Sequence, residues 1–385
     1  MARLEDVCEI LDSRRIPITA SDRESGPYPY YGANGVQDHV AGYIFDDELV
    51  LLAEDGGNFG STEKPIAYRV SGKCWVNNHA HVLKPKPGLD VDYLCYSLMY
   101  YDVSGLVNGA TRQKLTQADM RKMEISVPSI EEQRKSAAIL DKVSNLITLR
   151  KQQLAKLDEL VTARFVEMFG DPARNSMGLP TEAMTEVCAI IDGDRGKHYP
   201  KQDEFADTGH CLFLNAKNVT ATGFSFENCV YITAEKDDAL HNGKLERGDV
   251  VLTTRGTLGN LAFYDDSVPF EHVRINSGMV ILRMKKDVVS EVFFIEQFKL
   301  QLQSIKEKIA SGSAQSQLPI STMSKIQVLL APMDLQKQFA AFVEQTGKSK
   351  LTIQQGLDKL ELLKKALMQQ YFKKKENEKY DKFSM

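Results

Sequence analysis

The chain has 385 residues, room for roughly two or three domains, and is 43% hydrophobic and 26% charged, the make-up of a soluble globular protein. No run is long enough to cross a bilayer, the N-terminus lacks a secretory pattern, and the six cysteines are scattered without a Cys-x-x-Cys pair. These features point to the reducing cytoplasm and away from a disulfide framework or zinc site. A net charge of −4 does not announce a nucleic-acid binder, although binding needs a basic face and not a basic total.

In chain order, residues 1–129 read as a first globular unit. Leu4 to Leu11 is expected to form a short opening helix. The run Pro27-Tyr28-Pro29-Tyr30-Tyr31-Gly32-Ala33-Asn34-Gly35 is punctuated by turn formers, and Asn34-Gly35 suits a tight hairpin. Leu49 to Ala53 is a short apolar strand that runs directly into Glu54-Asp55-Gly56-Gly57-Asn58. Trp75 to Leu83 alternates like one half-buried strand, and Tyr93 to Tyr101 reads as a helix. Residues 130–170 contain no Pro and form one long helix, stopped by Gly170 and Pro172.

A second unit, 171–332, repeats the scheme. Asp249 to Thr254 is a strand running into Arg255-Gly256-Thr257-Leu258-Gly259-Asn260. Ile275 to Leu282 is again a strand, and Phe293 to Ile309 a helix. A second long helix covers 333–372, and the charged tail 373–385 is expected to be disordered.

The two long helices are one sequence used twice. Gln133-Arg134-Lys135-Ser136-Ala137-Ala138-Ile139-Leu140 returns as Gln336-Lys337-Gln338-Phe339-Ala340-Ala341-Phe342-Val343. At that one offset roughly ten identities hold over ~37 positions, the mark of an internal repeat. Leu140, Val143, Ile147, Leu154, Leu157 and Val161 fall three and four residues apart. Val343, Ile353, Leu357, Leu360 and Leu367 keep the same phase, giving each helix a heptad seam. Each rod is ~55 Å long at ~1.5 Å rise and cannot bury its seam alone, so the simplest partner for each is the other. The alternative is two unrelated amphipathic helices, each lying on its own domain.

The repeat extends into the globules: Gly109, Leu115, Met120 and Lys122 recur as Gly312, Leu318, Met323 and Lys325, and Val76-Asn77 as Ile275-Asn276. The expected fold class is therefore α+β. Two globular α/β domains are separated by two long helices forming an antiparallel coiled coil, with an internal pseudo-two-fold repeat. Two unlike heads on such a spacer would read two unlike half-sites at most ~16 base pairs apart.

Each globule carries planar polar groups on expected loops. In the first the DNA-contact candidates are Tyr30, Tyr31, Asn34, Lys64, Arg112, Gln113 and Lys114. In the second they are Arg195, Lys197, Lys217, Asn218, Arg255, Asn260, Arg274, Gln315 and Gln317. Arg matches guanine edges, Asn and Gln match adenine edges, and Lys holds phosphates. The pair His79-x-His81 has no nearby third ligand, so it reads as structural and no metal is expected. Glu54-Asp55 and Glu63-Lys64 hint at a metal-dependent nuclease, but adjacent residues of a strand point opposite ways. Gly193-Asp194-Arg195-Gly196-Lys197 lacks phosphate-loop spacing, and there is no amino-methyltransferase pocket run, Gly-x-Ser-x-Gly elbow or His-Glu-x-x-His helix.

Taken together the chain resembles the specificity subunits of type I restriction-modification systems, over nearly its whole length. The residues that carry the resemblance are the repeat helices led by Gln133 and Gln336, the run Met168-Phe169-Gly170-Asp171-Pro172 and the Pro before each rod. In the first globule Tyr30 to Gly35, Ala53 to Gly56 and Trp75 to Val82 are similar to one recurring type of target-recognition domain. The resemblance implies a non-catalytic chain that holds two target-recognition domains apart on a coiled coil and binds a bipartite, asymmetric sequence in double-stranded DNA. It also implies partners: two methyltransferase subunits that use S-adenosylmethionine on adenine, and restriction subunits that use ATP and Mg²⁺. No cofactor is expected on this chain itself and no membrane contact. One departure is that Gly347 and Gly356 of the second rod replace Ser144 and Gln153 of the first, and glycine loosens a helix interior by about 1 kcal/mol. The competing functions are a protein-interaction scaffold with no direct DNA readout and a self-sufficient DNA enzyme.

Overall fold

Leu49–Ala53 is apolar at every position because it is covered on both faces. In the computed structural model it ends the strand Phe45–Ala53, and alternation sends Val50 and Leu52 into one core, Leu49 and Leu51 into another. The structure describes residues 1–385 apart from 62, 110–111, 286–287, 311–316 and 373–385, so Gln315 and the tail lie outside the described residues. Two compact units divide the chain: residues 1–151 with 354–385, and residues 152–353. The division cuts across both rods, which are continuous helices over Ile130–Phe169 and Met333–Phe372.

The first unit is built on a six-stranded sheet. Its order is Cys8–Ile10, Ala80–Pro85, Phe45–Ala53, Ala67–Val76, Ser25–Gly32 and Gly35–Val40. The one parallel pairing sets Tyr30 opposite Trp75. Helix Val91–Met99 packs on one face, its N-terminus capped by the Asp90 carboxylate, which accepts from the amides of Asp92 and Tyr93. Ala137 and Leu140 of the first rod share this core with Leu367, Met368, Tyr371 and Phe372 of the second. The Phe372 ring lies 5.1 Å from Tyr93, and Lys151 pairs with Glu361 at 2.8 Å. Within this unit the rods therefore run in opposite directions.

The second unit has the same plan. Its strands run Cys188–Asp192, Met279–Met284, Asp249–Thr253 and Leu261–Tyr264 in one sheet, and Tyr231–Ile232, Cys211–Leu214 and Val273–Ile275 in another. This is the first unit's order with the long strand Ala67–Val76 broken in two. The parallel pairing recurs, with Phe213 opposite Arg274. Phe165 and Phe169 close the first rod against Phe293 and Phe339, the last two 4.8 and 5.7 Å from Phe169. Asp158 of the first rod pairs with Lys350 of the second, so here too the rods are antiparallel.

Each rod starts with the same buried device. Gln133 accepts from the Asp90 amide at 2.8 Å and donates to the carbonyls of Gly88 and Pro128 at 3.0 and 2.8 Å. Gln336 accepts from the Ser290 amide at 2.9 Å and donates to Ala331 and Val288 at 2.8 and 3.4 Å. Both glutamines are 0% exposed. They satisfy backbone groups that neither helix nor sheet can reach, which explains why the repeat begins at this residue.

The structure differs from the sequence expectation in four places. Leu4 to Leu11 is one helical turn, Leu4–Val7, followed by the strand Cys8–Ile10, because Ile10 pairs with Leu83. Trp75 to Leu83 is two strands, parted where Asn77 Oδ1 accepts from the His79 amide at 2.8 Å. Ile275 to Leu282 is split by the matching turn, with Asn276 Oδ1 accepting from the Gly278 amide at 2.9 Å. The hairpin turn is centred on Ala33-Asn34, since Gly32 pairs with Gly35. Along the seam, Leu140, Val143, Val161 and Leu357 are buried, whereas Ile147, Leu154, Leu157, Val343, Ile353, Leu360 and Leu367 are half-buried, as two paired helices allow. The alternative of rods lying only on their own globules fails, since Phe372 closes the first unit's core.

Candidate nucleic-acid interface

In both units the central strand overshoots the sheet and its end is pinned from two sides. In the first, the Glu54 amide donates to His79 O at 2.9 Å and Glu54 O accepts from the Leu115 amide at 2.7 Å. In the second, the Thr254 amide donates to Gly278 O at 2.9 Å and Thr254 O accepts from the Leu318 amide at 3.1 Å. The next residues also match: Asp55 bridges Lys114, and Arg255 bridges Gln317. Gly56 and Gly256 then turn the chain with φ of +61° and +72°, a conformation glycine adopts without a Cβ clash. One plan thus presents an acidic residue in the first unit and a basic one in the second.

Beneath the first turn lies a buried polar network. His81, 0% exposed, places Nδ1 2.6 Å from Asp12 Oδ2 and donates from Nε2 to Leu115 O at 2.9 Å. Asp12 also accepts from the Val82 amide and from Gln117, each at 2.9 Å. Arg15 and Lys114 hold the two oxygens of Glu54 at 2.5 and 2.9 Å. Burial pushes the Asp12 carboxyl up, but His81, the Val82 amide and Gln117 outweigh it and hold it below the usual carboxylate range. Glu54 is likewise raised by burial and brought lower still by Arg15, Lys114 and the charge of His81.

Above the turn opens a cleft of about 260 Å³, lined among others by Asn34, Gln37, Asp55, Asn77, His79 and Arg112. Asn34 donates to Gly56 O at 3.0 Å, Arg112 Nη2 to Asp55 Oδ1 at 3.0 Å, and His79 Nδ1 lies 2.5 Å from the same oxygen. In the second unit a cleft of about 320 Å³ is lined by Asn260, Lys299, Gln303 and Lys306.

The expected contact residues that the structure describes separate by burial into three groups. Asn34, Lys64, Arg112, Gln113 and Lys114 are exposed in the first unit, as are Arg195, Lys197, Lys217, Arg255 and Gln317 in the second. Tyr31 and Asn260 are half-buried, and Asn260 donates to Val219 O at 2.9 Å. Three residues are placed otherwise. Tyr30 is 1% exposed, its hydroxyl accepting from the Ile18 amide at 3.1 Å. Asn218 is 1% exposed and spends its amide on the carbonyls of Ser225 and Asn228. Arg274, on a strand and 4% exposed, pairs with Asp237 and donates to the carbonyls of Asn242 and Leu240. Their polar groups already have partners, so these three hold the fold.

Asp55 and Gln37 in the first cleft, and Lys299 and Lys306 in the second, are absent from the expected set. Nothing in the local sequence brings Asp55 to Arg112, and Lys299 and Lys306 lie on a segment whose pattern announces only a helix. Among the described residues two clusters have donors within 4.8 Å of one another: Asp12, Glu54 and His81, and His210, Asp237 and His272. In the first both His81 nitrogens are engaged and Arg15 and Lys114 neutralise Glu54. In the second Asp237 already pairs with Arg274 and Lys244. A dication would meet positive charge in each, so neither donor set fits a metal.

Two copies of one polar turn, each on its own sheet and on halves of two paired rods, define a protein with a duplicated domain plan. A family profile described as the type I restriction modification DNA specificity domain matches residues 1–159 and 181–362, and the chain belongs to that family. A Haemophilus influenzae protein named as a type I restriction enzyme specificity subunit is 26% identical over 361 residues, 92% of this chain and 89% of its own length. The type I restriction enzyme MjaIX specificity subunit of Methanocaldococcus jannaschii is 22% identical over 350 residues, 84% of this chain and 77% of its own. The fold is similar to the crystal structure of a type I restriction-modification S subunit from M. genitalium. The TM-score is 0.60 at 15% identity, covering 97% of this chain and 96% of that one. Among the described residues no helix is long and apolar enough to cross a membrane.

Proposed function

We propose that this chain reads a bipartite, asymmetric sequence in double-stranded DNA, one part through each unit, on behalf of a modification complex. The observation that supports it is the doubling of one site plan with different side chains, Asp55 and Arg112 in one unit and Arg255 and Gln317 in the other. Such a pair of sites suits a target with two unlike parts. Recruitment of two methyltransferase subunits, with restriction subunits joining them, draws support from leucines left outside the seam. Leu146, Leu149, Leu362 and Leu363 in the first unit and Leu160 and Leu351 in the second are 46%, 54%, 69%, 46%, 48% and 61% exposed. Exposed apolar side chains of this kind suit a protein partner. S-adenosylmethionine, ATP and Mg²⁺ would be bound by those partners, and the complex would work in the cytoplasm. Methylation mapping of the host with and without this gene tests the reading. A two-part adenine motif should lose its methylation, and an unchanged methylation map would refute the function.

A further inference from the structure

The Arg112 guanidinium is held along one edge only. Its Nη2 donates to Asp55 Oδ1 at 3.0 Å and lies 3.4 Å from His79 Nδ1, and among the described residues no acceptor meets Nε or Nη1. Asp55 is fixed in turn, because His79 Nδ1 lies 2.5 Å from the same oxygen and the Asp55 backbone bridges Lys114. Gly56 supplies a floor: a Cβ there would sit 3.4 Å from both Nε and Nη2 of Arg112. The side chain of Arg112 remains 60% exposed at the cleft, whereas that of Asp55 is 18% exposed.

We propose that Arg112 reads a guanine in the part of the target taken by the first unit, with Asp55 as its positioning residue. This rests on the DNA-reading function above and adds the base. At 2.5 Å from the Asp55 carboxylate, His79 Nδ1 is the donor of that contact and does not accept from Arg112, so Nη1 and the second hydrogen of Nη2 remain as a pair of donors. Guanine presents two acceptors, O6 and N7, on its major-groove edge, whereas adenine presents one acceptor and one donor. A phosphate is disfavoured at this place, because the Asp55 carboxylate lies beside the arginine and repels it. The carboxylate also orders the guanidinium before DNA arrives, which lowers the cost of fixing it on the base. At the matching turn of the second unit Arg255 takes the place of Asp55.

The experiment uses the full chain assembled with its modification subunits, on duplexes containing the methylation motif mapped for the wild type. Each guanine of both half-sites is replaced in turn by 7-deazaguanine, which keeps base pairing and removes N7. At one guanine of one half-site the wild-type complex should lose about 10- to 100-fold in affinity, and Arg112→Ala less than about threefold. Asp55→Asn should shrink the same penalty, and Arg112→Lys should not restore it, since an ammonium cannot make the paired contact. Penalties in the other half-site should stay at wild-type values, which shows that the variants are folded and assembled. The proposal is overturned if Arg112→Ala keeps every guanine penalty, or if it weakens all duplexes equally as loss of a phosphate contact would. A wild-type complex with no preference among duplexes would overturn the DNA-reading function itself, before any variant is compared.

Discussion

Replacing Gln133 with Leu keeps the bulk of the side chain and removes its hydrogen bonds. The Asp90 amide and the carbonyls of Gly88 and Pro128 then lose their partner in a site that is 0% exposed. A buried polar group left unpaired costs about 1–3 kcal/mol, so three such groups with partial relaxation should cost about 3–5 kcal/mol. The loss should be local, because the affected amide belongs to Asp90, the residue whose carboxylate caps helix Val91–Met99. Gln336→Leu should cost less, about 2–4 kcal/mol, since one of its three bonds is already stretched to 3.4 Å. Denaturant unfolding followed by amide hydrogen exchange separates the two units. Gln133→Leu should release protection in Val91–Met99 and leave Glu291–Ala310 protected, and Gln336→Leu should do the reverse. A Gln133→Leu variant within about 0.5 kcal/mol of wild type, or one that loosens only the second unit, would refute the reasoning.

Burial pushes the thiols of Cys8, Cys74, Cys95, Cys188 and Cys211 up to about 12, leaving half-buried Cys229 as the accessible cysteine among the described residues. Mass spectrometry after iodoacetamide treatment of the native chain at neutral pH should find Cys229 labelled first, and rapid labelling of all six would contradict the packing. Phe169→Ala opens the aromatic cluster of the second unit and should cost about 3–5 kcal/mol, measured by thermal unfolding, with the first unit's exchange protection unchanged. Asp12 and Glu54 are held below their ordinary range in the folded chain. Their contribution is complete above the unfolded carboxyl range of about pH 4 and is lost as pH falls through the lower folded values. Asp12→Asn should flatten that acid dependence in unfolding curves taken between about pH 7 and pH 3, and a first unit that grows more stable on acidification would disprove the assignment.

Much of this fold is legible in the chain because the repeat supplies a comparison. Gln133 and Gln336 stand out as duplicated before their bonds are seen, and the heptad phase announces that each rod needs another. The two strands that end in Gly56 and Gly256 are visible as apolar runs meeting turn formers. What the sequence hides is where an apolar alternation is interrupted. Asn77 and Asn276 each bond the second amide onward, and the residues on both sides keep the look of a single strand. The site shows a similar limit. Arg274 and Tyr30 have the chemistry of base readers, yet strand pairing buries them and Asp237 and Ile18 take their polar atoms. Asp55 has the opposite history: its charge argues against DNA until Arg112 is seen beside it, more than fifty residues away in the chain.

The unit boundaries also carry a consequence for synthesis on the ribosome. Residues 152–353 form one unbroken stretch, whereas the other unit needs both 1–151 and 354–385. The domain that begins first is therefore the one that finishes last. Leu367, Met368 and Phe372, which seal its core, leave the ribosome only after the whole of the other unit has emerged. Until then the face around Tyr93 and Leu140 stays open, and a nascent chain stalled before residue 367 exposes it to chaperones and proteases.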